Sequence, residues 1–109
     1  MTIEILYFAG CPHHEPTVQL IREVLEREGE TAIVDQRAIT DAAMALRARF
    51  LGSPTVRIDG LDVEVEARRA VSFGLSCRTY LNAGTRSGVP PKEWIEAAVK
   101  EARCGLGSK

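Results

Sequence analysis

The sequence predicts an α/β domain, a βαβ unit followed by ββα, with a four-stranded mixed sheet and about three helices. Three observations carry this expectation. The run Ile3-Glu4-Ile5-Leu6-Tyr7-Phe8 is almost continuously apolar, as in a central strand covered on both faces. Val18, Ile21, Val24 and Leu25 then recur at helical spacing, with Arg22, Glu23, Glu26 and Arg27 opposite. Finally, Thr55-Val56-Arg57-Ile58 and Asp62-Val63-Glu64-Val65 flank Asp59-Gly60, and an Asp-Gly pair supplies the positive φ angles of a tight hairpin.

Taken in order, residues 3–8 form the first strand, and the amphipathic stretch from Thr17 to Gly29 forms the first helix. Pro16 marks its first turn, where proline is tolerated, and Gly29 is its C′ stop. Cys11 therefore falls in the loop leading into the helix, about one turn ahead of it. Thr31 to Ile39 reads as a second strand, and Thr40 and Asp41 cap a short helix through Phe50. After the hairpin, Pro91 opens a last helix with Trp94, Ile95, Ala98, Val99 and Ala102 on one face. Residues 66–89 fit least well: they hold Gly74, Gly84 and Gly88 and show no sustained period. Connections of that length in compact domains are commonly functional. Phe73, Leu75, Tyr80 and Leu81 suggest that this segment packs back on the body.

The 109 residues make one domain, 1–109, large enough for a single core. With 45% hydrophobic and 27% charged residues the chain has the composition of an ordinary globular protein. A net charge of −1 with mixed signs gives no electrostatic reason to expect nucleic acid or an anionic membrane as partner. No apolar run approaches the roughly 20 residues that cross a bilayer, and the N-terminus, with Glu4 and no basic start, does not read as a signal peptide. Three cysteines, an odd number, favour reduced thiols and a cytoplasmic setting over a structural disulfide.

The chemistry concentrates in Gly10-Cys11-Pro12-His13-His14. A thiol at a strand-to-helix junction meets helix-end amide groups and, from a histidine, added positive charge; both favour the thiolate. Cys11 is the candidate nucleophile, against the plainer alternative of a small buried hydrophobe. His14, three residues on, can support the thiolate or pass a proton to a leaving group; otherwise it is an exposed helix-start residue. Cys-Pro-His-His also holds metal ligands, but no second pair stands at zinc-site spacing, so no structural metal is expected. Cys77 is either a packed loop residue or a second thiol that folds over Cys11 to resolve a mixed disulfide or share a soft metal ion. Cys104, at the end of the last helix, reads as a bystander. Arg57, Arg68, Arg69 and Arg78 could receive an anionic co-substrate such as glutathione, although scattered arginines are commonly solvated surface.

The strand, Cys-x-x-x, helix, strand, helix and Pro54-Thr55 strand, in that order, resemble the thioredoxin-like superfamily over nearly the whole chain. His14 stands where that superfamily has its second motif cysteine. The stretch is also similar to a small bacterial thioredoxin-fold group often labelled alkylmercury lyase-like. The resemblance implies a cis peptide before Pro54, with Pro12, Ser53, Pro54 and Thr55 walling a substrate site beside Cys11. It further implies a thiol oxidoreductase acting on a disulfide or thiol, protein or small molecule, with no bound cofactor and with glutathione or another thiol as co-substrate. With one motif cysteine, release of a mixed disulfide falls to Cys77 or to an external thiol, making the chain monothiol or atypically dithiol. Two other readings remain open: a thiol protein that handles soft metals or organomercurials, with His14 or Glu15 as proton source, and a binding module without turnover.

Overall fold

The computed structural model describes residues 1–104, so residues 105–109 of the expected domain lie outside the described residues. The chain runs β1 (Thr2–Tyr7), α1 (His14–Glu28), β2 (Ile33–Ala38), α2 (Ala42–Arg47), β3 (Thr55–Ile58) and β4 (Leu61–Asp62). A 3₁₀ turn (Val65–Arg69), β5 (Tyr80–Asn82), β6 (Thr85–Ser87) and α3 (Lys92–Cys104) complete it. The main sheet has the order β2-β1-β3-β4, with β1 parallel to β2 and antiparallel to β3, so the expected α/β class and mixed four-stranded sheet are present.

Alternation along β1 explains how both of its faces are covered. Ile3 and Ile5 join Val56 and Ile58 of β3 beneath α1 and α3, with Val18, Ile21, Val24, Ile95 and Val99. Leu6, on the opposite face, packs with Ile39, Ala45 and Phe50 against α2. Each of the buried Val, Ile, Leu and Phe side chains contributes about 1.5–3 kcal/mol of hydrophobic stabilisation before entropy is counted.

Local signals set the ends of the elements. Gly29 sits at φ +64°; its N–H donates to the Glu26 carbonyl and that of Glu30 to the Leu25 carbonyl, closing α1 as a Schellman motif. α1 starts at His14, three residues before Thr17, with Pro16 in its first turn, where a missing N–H costs no helical bond. The Asp41 side chain accepts the Met44 N–H at 2.7 Å, and α2 ends at Arg47 rather than reaching Phe50. Asp59 and Gly60 take φ +51° and +84° in the β3–β4 hairpin.

Two expectations are corrected. β4 does not extend through Val65: the Glu64 N–H turns back to the Asp62 carboxylate at 2.8 Å, and the chain leaves the sheet into the 3₁₀ turn. Residues 66–89 are not irregular throughout. They contain the β5–β6 hairpin, whose two-residue turn has Ala83 at φ +53° and Gly84 at φ +81°.

Candidate functional site

The Cys11 turn and Ser53 come together at the C-terminal end of β1. Beyond Tyr7 the chain folds into a tight turn: Gly10 takes φ +85°, the Cys11 N–H donates to the Phe8 carbonyl at 3.2 Å, and the His14 N–H to the Cys11 carbonyl at 3.3 Å. Cys11 is thus half-buried just ahead of α1, with Pro12 and His13 exposed beside it. The His13 ring lies so close to Gly88 that a Cβ there would come within 2.2–2.5 Å of its atoms. The segment after β6 therefore folds onto the Cys-Pro-His-His motif; of the apolar residues expected to pack on the body, Tyr80 is buried, whereas Leu75 and Leu81 are exposed.

His14 points elsewhere. Its ring stacks on Tyr7 at 3.6 Å between centroids and 10° between planes. Its Nε2 lies 2.8 Å from Gln36 Oε1 and its Nδ1 lies 3.9 Å from Glu15. Nε2 is turned to Gln36 on β2 and Nδ1 toward Glu15 on α1, so the proton-handling role expected of His14 toward Cys11 has no hydrogen bond behind it.

The Ser53–Pro54 peptide is cis. Ser53 stands next to the Cys11 turn, accepting the Phe8 N–H on its hydroxyl at 3.3 Å. The expected wall of Ser53, Pro54 and Thr55 is, however, buried rather than open. The Ser53 N–H donates to the Ser76 carbonyl at 2.9 Å, and the Ser53 carbonyl accepts the Arg78 N–H at 3.1 Å. These bonds form a parallel bridge between Ser53 and Cys77. The Thr55 hydroxyl donates to the Gly52 carbonyl at 2.6 Å, and the Pro54 carbonyl accepts the Tyr80 hydroxyl. The chain's own residues 76–80 occupy the face on which a substrate was expected.

This covering segment is fixed by a buried ionic knot that the sequence reading did not find. Arg78 donates to both Asp62 carboxylate oxygens at 2.8 and 2.9 Å, to Glu64 at 3.0 Å and to the Thr55 hydroxyl at 3.3 Å. The Arg78 and Asp62 side chains are only 6% and 3% exposed. Burial disfavours the Arg78 charge, but the hydrogen bonds to Asp62 and the surrounding negative field outweigh it and raise its pKa. The guanidinium also lies 4.5 Å over the Tyr80 ring. Burial pushes the Tyr80 phenol above its ordinary value, against the opposing charge of Arg78.

Arg78 is therefore no docking point for glutathione. Arg68 is committed to Glu101, at 3.0 and 3.2 Å, and to the Asp62 carbonyl. Arg57 donates to the carbonyls of Ala48 and Arg49, and its burial lowers its pKa. Arg69 is exposed.

Cys77, exposed at the middle of the bridge, lines a cleft of about 420 Å³ formed by residues 8–9, 39–40 and 75–77. The cleft lies between the segment leading into Cys11 and the segment carrying Cys77. Cys104 is exposed at the end of α3, and all three thiols are free. Among the described residues no three His, Cys, Asp or Glu side chains gather as a metal site. No helix among them is long and apolar enough to cross a membrane. Comparison with protein-family models, with curated proteins and with solved structures finds no match for the chain.

Proposed function

We propose that this chain is a cytoplasmic, thioredoxin-like thiol oxidoreductase in which Cys11 is the nucleophile and Cys77 the second thiol. The observation that carries the reading is the Ser53–Cys77 bridge. It sets an exposed thiol over Ser53, whose hydroxyl holds the Phe8 N–H while the Phe8 carbonyl holds the Cys11 N–H. Two free thiols on adjoining segments beside a cis-proline suit dithiol exchange better than a lone cysteine does.

In this reading the Cys11 thiolate attacks a substrate disulfide, forms a mixed disulfide and expels the first substrate thiolate. The Cys77 thiolate then attacks the Cys11 sulfur and expels the second. The substrate gains two electrons, the protein becomes a Cys11–Cys77 disulfide, and two equivalents of an external thiol restore the dithiol as they form their own disulfide. Cys77, rather than His14, takes the part of the missing motif cysteine.

The test uses a Cys104→Ser background. Mild oxidation should give a monomer lighter by two hydrogen atoms, with both free thiols gone. That product requires the Cα atoms to approach within roughly 4.4–6.8 Å. Cys77→Ser should accumulate the mixed disulfide on Cys11, and Cys11→Ser should form none. A protein that forms neither internal nor mixed disulfide with any disulfide reagent is not an oxidoreductase of this type.

A further inference from the structure

Resting on the oxidoreductase reading above, we infer that the substrate is a small, uncharged disulfide with apolar substituents, not an extended polypeptide and not glutathione disulfide. Extended chains bind sheet proteins by taking unpaired backbone N–H and C=O groups. Here both such groups of Ser53 are already taken by Ser76 and Arg78, and the Pro54 carbonyl is taken by Tyr80. The contact is close on the next residue as well. A Cβ on Gly52 would lie 2.8 Å from the Arg78 Cβ and 3.2 Å from the Ser76 carbonyl. The Arg78–Asp62–Glu64 knot anchors this arrangement, so a peptide would have to break buried ionic bonds to enter.

The cleft beside Cys77 opens between the segment leading into Cys11 and the segment that carries Cys77. At about 420 Å³ it falls within the range of small-ligand pockets. Phe8, Ala9, Ile39 and Leu75 supply its apolar surface, and among its lining residues the Cys77 thiol is the sole ionisable side chain. Glutathione disulfide carries four carboxylates and two ammonium groups. Burying any of them here would strip water without offering a counter-charge. An uncharged dialkyl disulfide meets the opposite balance, because its substituents leave water for the apolar surface of Phe8 and Ala9, just ahead of Cys11, and of Leu75 beside Cys77.

The experiment measures how fast the reduced Cys104→Ser protein is oxidised by dipropyl disulfide, by glutathione disulfide and by an extended disulfide-linked peptide. Each rate is divided by that of the same reagent with a free small-molecule thiol, which removes intrinsic reactivity. The normalised rate should be roughly tenfold or more higher for dipropyl disulfide, a difference of about 1.4 kcal/mol. Leu75 is partly exposed at the cleft edge, so Leu75→Lys should leave folding intact and shift the preference toward glutathione disulfide. Equal or faster normalised oxidation by glutathione disulfide or by the peptide overturns this inference and leaves the oxidoreductase reading standing. No reaction with any of the three overturns both.

Discussion

Residues 70–77 and residues 78–80 are consecutive in sequence and opposite in environment. In the first stretch Val71 is 84% exposed, Ser72, Leu75, Ser76 and Cys77 are also exposed, and the tethers are backbone bonds from Gly74 to Phe50 and from Ser53 to Ser76 and the Arg49 guanidinium over the Phe73 ring. In the second, Arg78 and Tyr80 are buried and tied by side chain to Asp62, Glu64, Thr55 and Pro54. The covering segment is a pinned end followed outward by a loosely held arm, and Cys77 sits where one becomes the other. A thiol in that position can stay exposed while its neighbour holds the register with Ser53.

Breaking the pin gives the largest expected effect. Asp62→Ala leaves the Arg78 charge buried with one carboxylate fewer and should cost about 3–5 kcal/mol in urea unfolding. It should also speed alkylation of Cys77. A loss below about 1 kcal/mol would mean that Arg78 does not hold the segment. Gly52→Ala comes next, since φ +120° disfavours any side chain and its Cβ would run into Arg78. The expected cost is about 1–3 kcal/mol, with faster modification of Cys77 if the segment yields instead of the β3 entry.

Tyr80→Phe removes the hydroxyl that satisfies the Pro54 carbonyl and should cost about 1–3 kcal/mol. The wild type carries a pH signature here as well. An acid whose folded pKa is raised gives stability that is complete below its unfolded value, about 10 for tyrosine, and lost as pH climbs toward the folded value. Unfolding midpoints should therefore fall above pH about 10, and Tyr80→Phe should lessen that fall. A pH dependence unchanged by the substitution would show that Tyr80 is not its source.

His14→Ala should cost about 0.5–1.5 kcal/mol by removing the stack on Tyr7. It should leave the Cys11 alkylation rate within about twofold, because no hydrogen bond joins the two side chains; a tenfold drop, about 1.4 kcal/mol in activation, would restore the proton-handling role. Smallest of all, Val71→Ser on the exposed arm should stay within about 0.5 kcal/mol of wild type. A loss there as large as at Asp62 would erase the contrast between pin and arm.

What was legible in the sequence followed from local rules. The almost continuous apolar run of residues 3–8, the Gly29 stop, the Asp41 cap and the Asp59-Gly60 turn are decided by neighbours within a few residues. The β5–β6 hairpin was missed because its strands are three residues long, too short for a period to emerge. Asn82-Ala83-Gly84-Thr85 was the turn signal that could have found it. The Arg78–Asp62 pair spans sixteen positions and exists only once the segment crosses Ser53, so no spacing rule could reveal it. The same crossing buries Ser53, Pro54 and Thr55, which the resemblance implied as an open wall. The setting of His14 was hidden for a similar reason: Tyr7 and Gln36, on two different strands, hold its ring.

The brevity of β4 also bears on how copies of this molecule meet. A sheet's outer strands are templates for unwanted pairing, and long flat ones are the most dangerous. β4 offers two residues before the Glu64 N–H turns back, so one border of the sheet is nearly closed to a passing strand. The other border is the six-residue β2, which carries Asp35 and Arg37 in mutual contact at 3.1 Å. A strand laid along it would have to dehydrate that pair. Ribbon-like aggregation is thus discouraged by shortness on one border and by charge on the other, leaving the apolar Ile33 at the mouth of β2 as the weakest point of that defence.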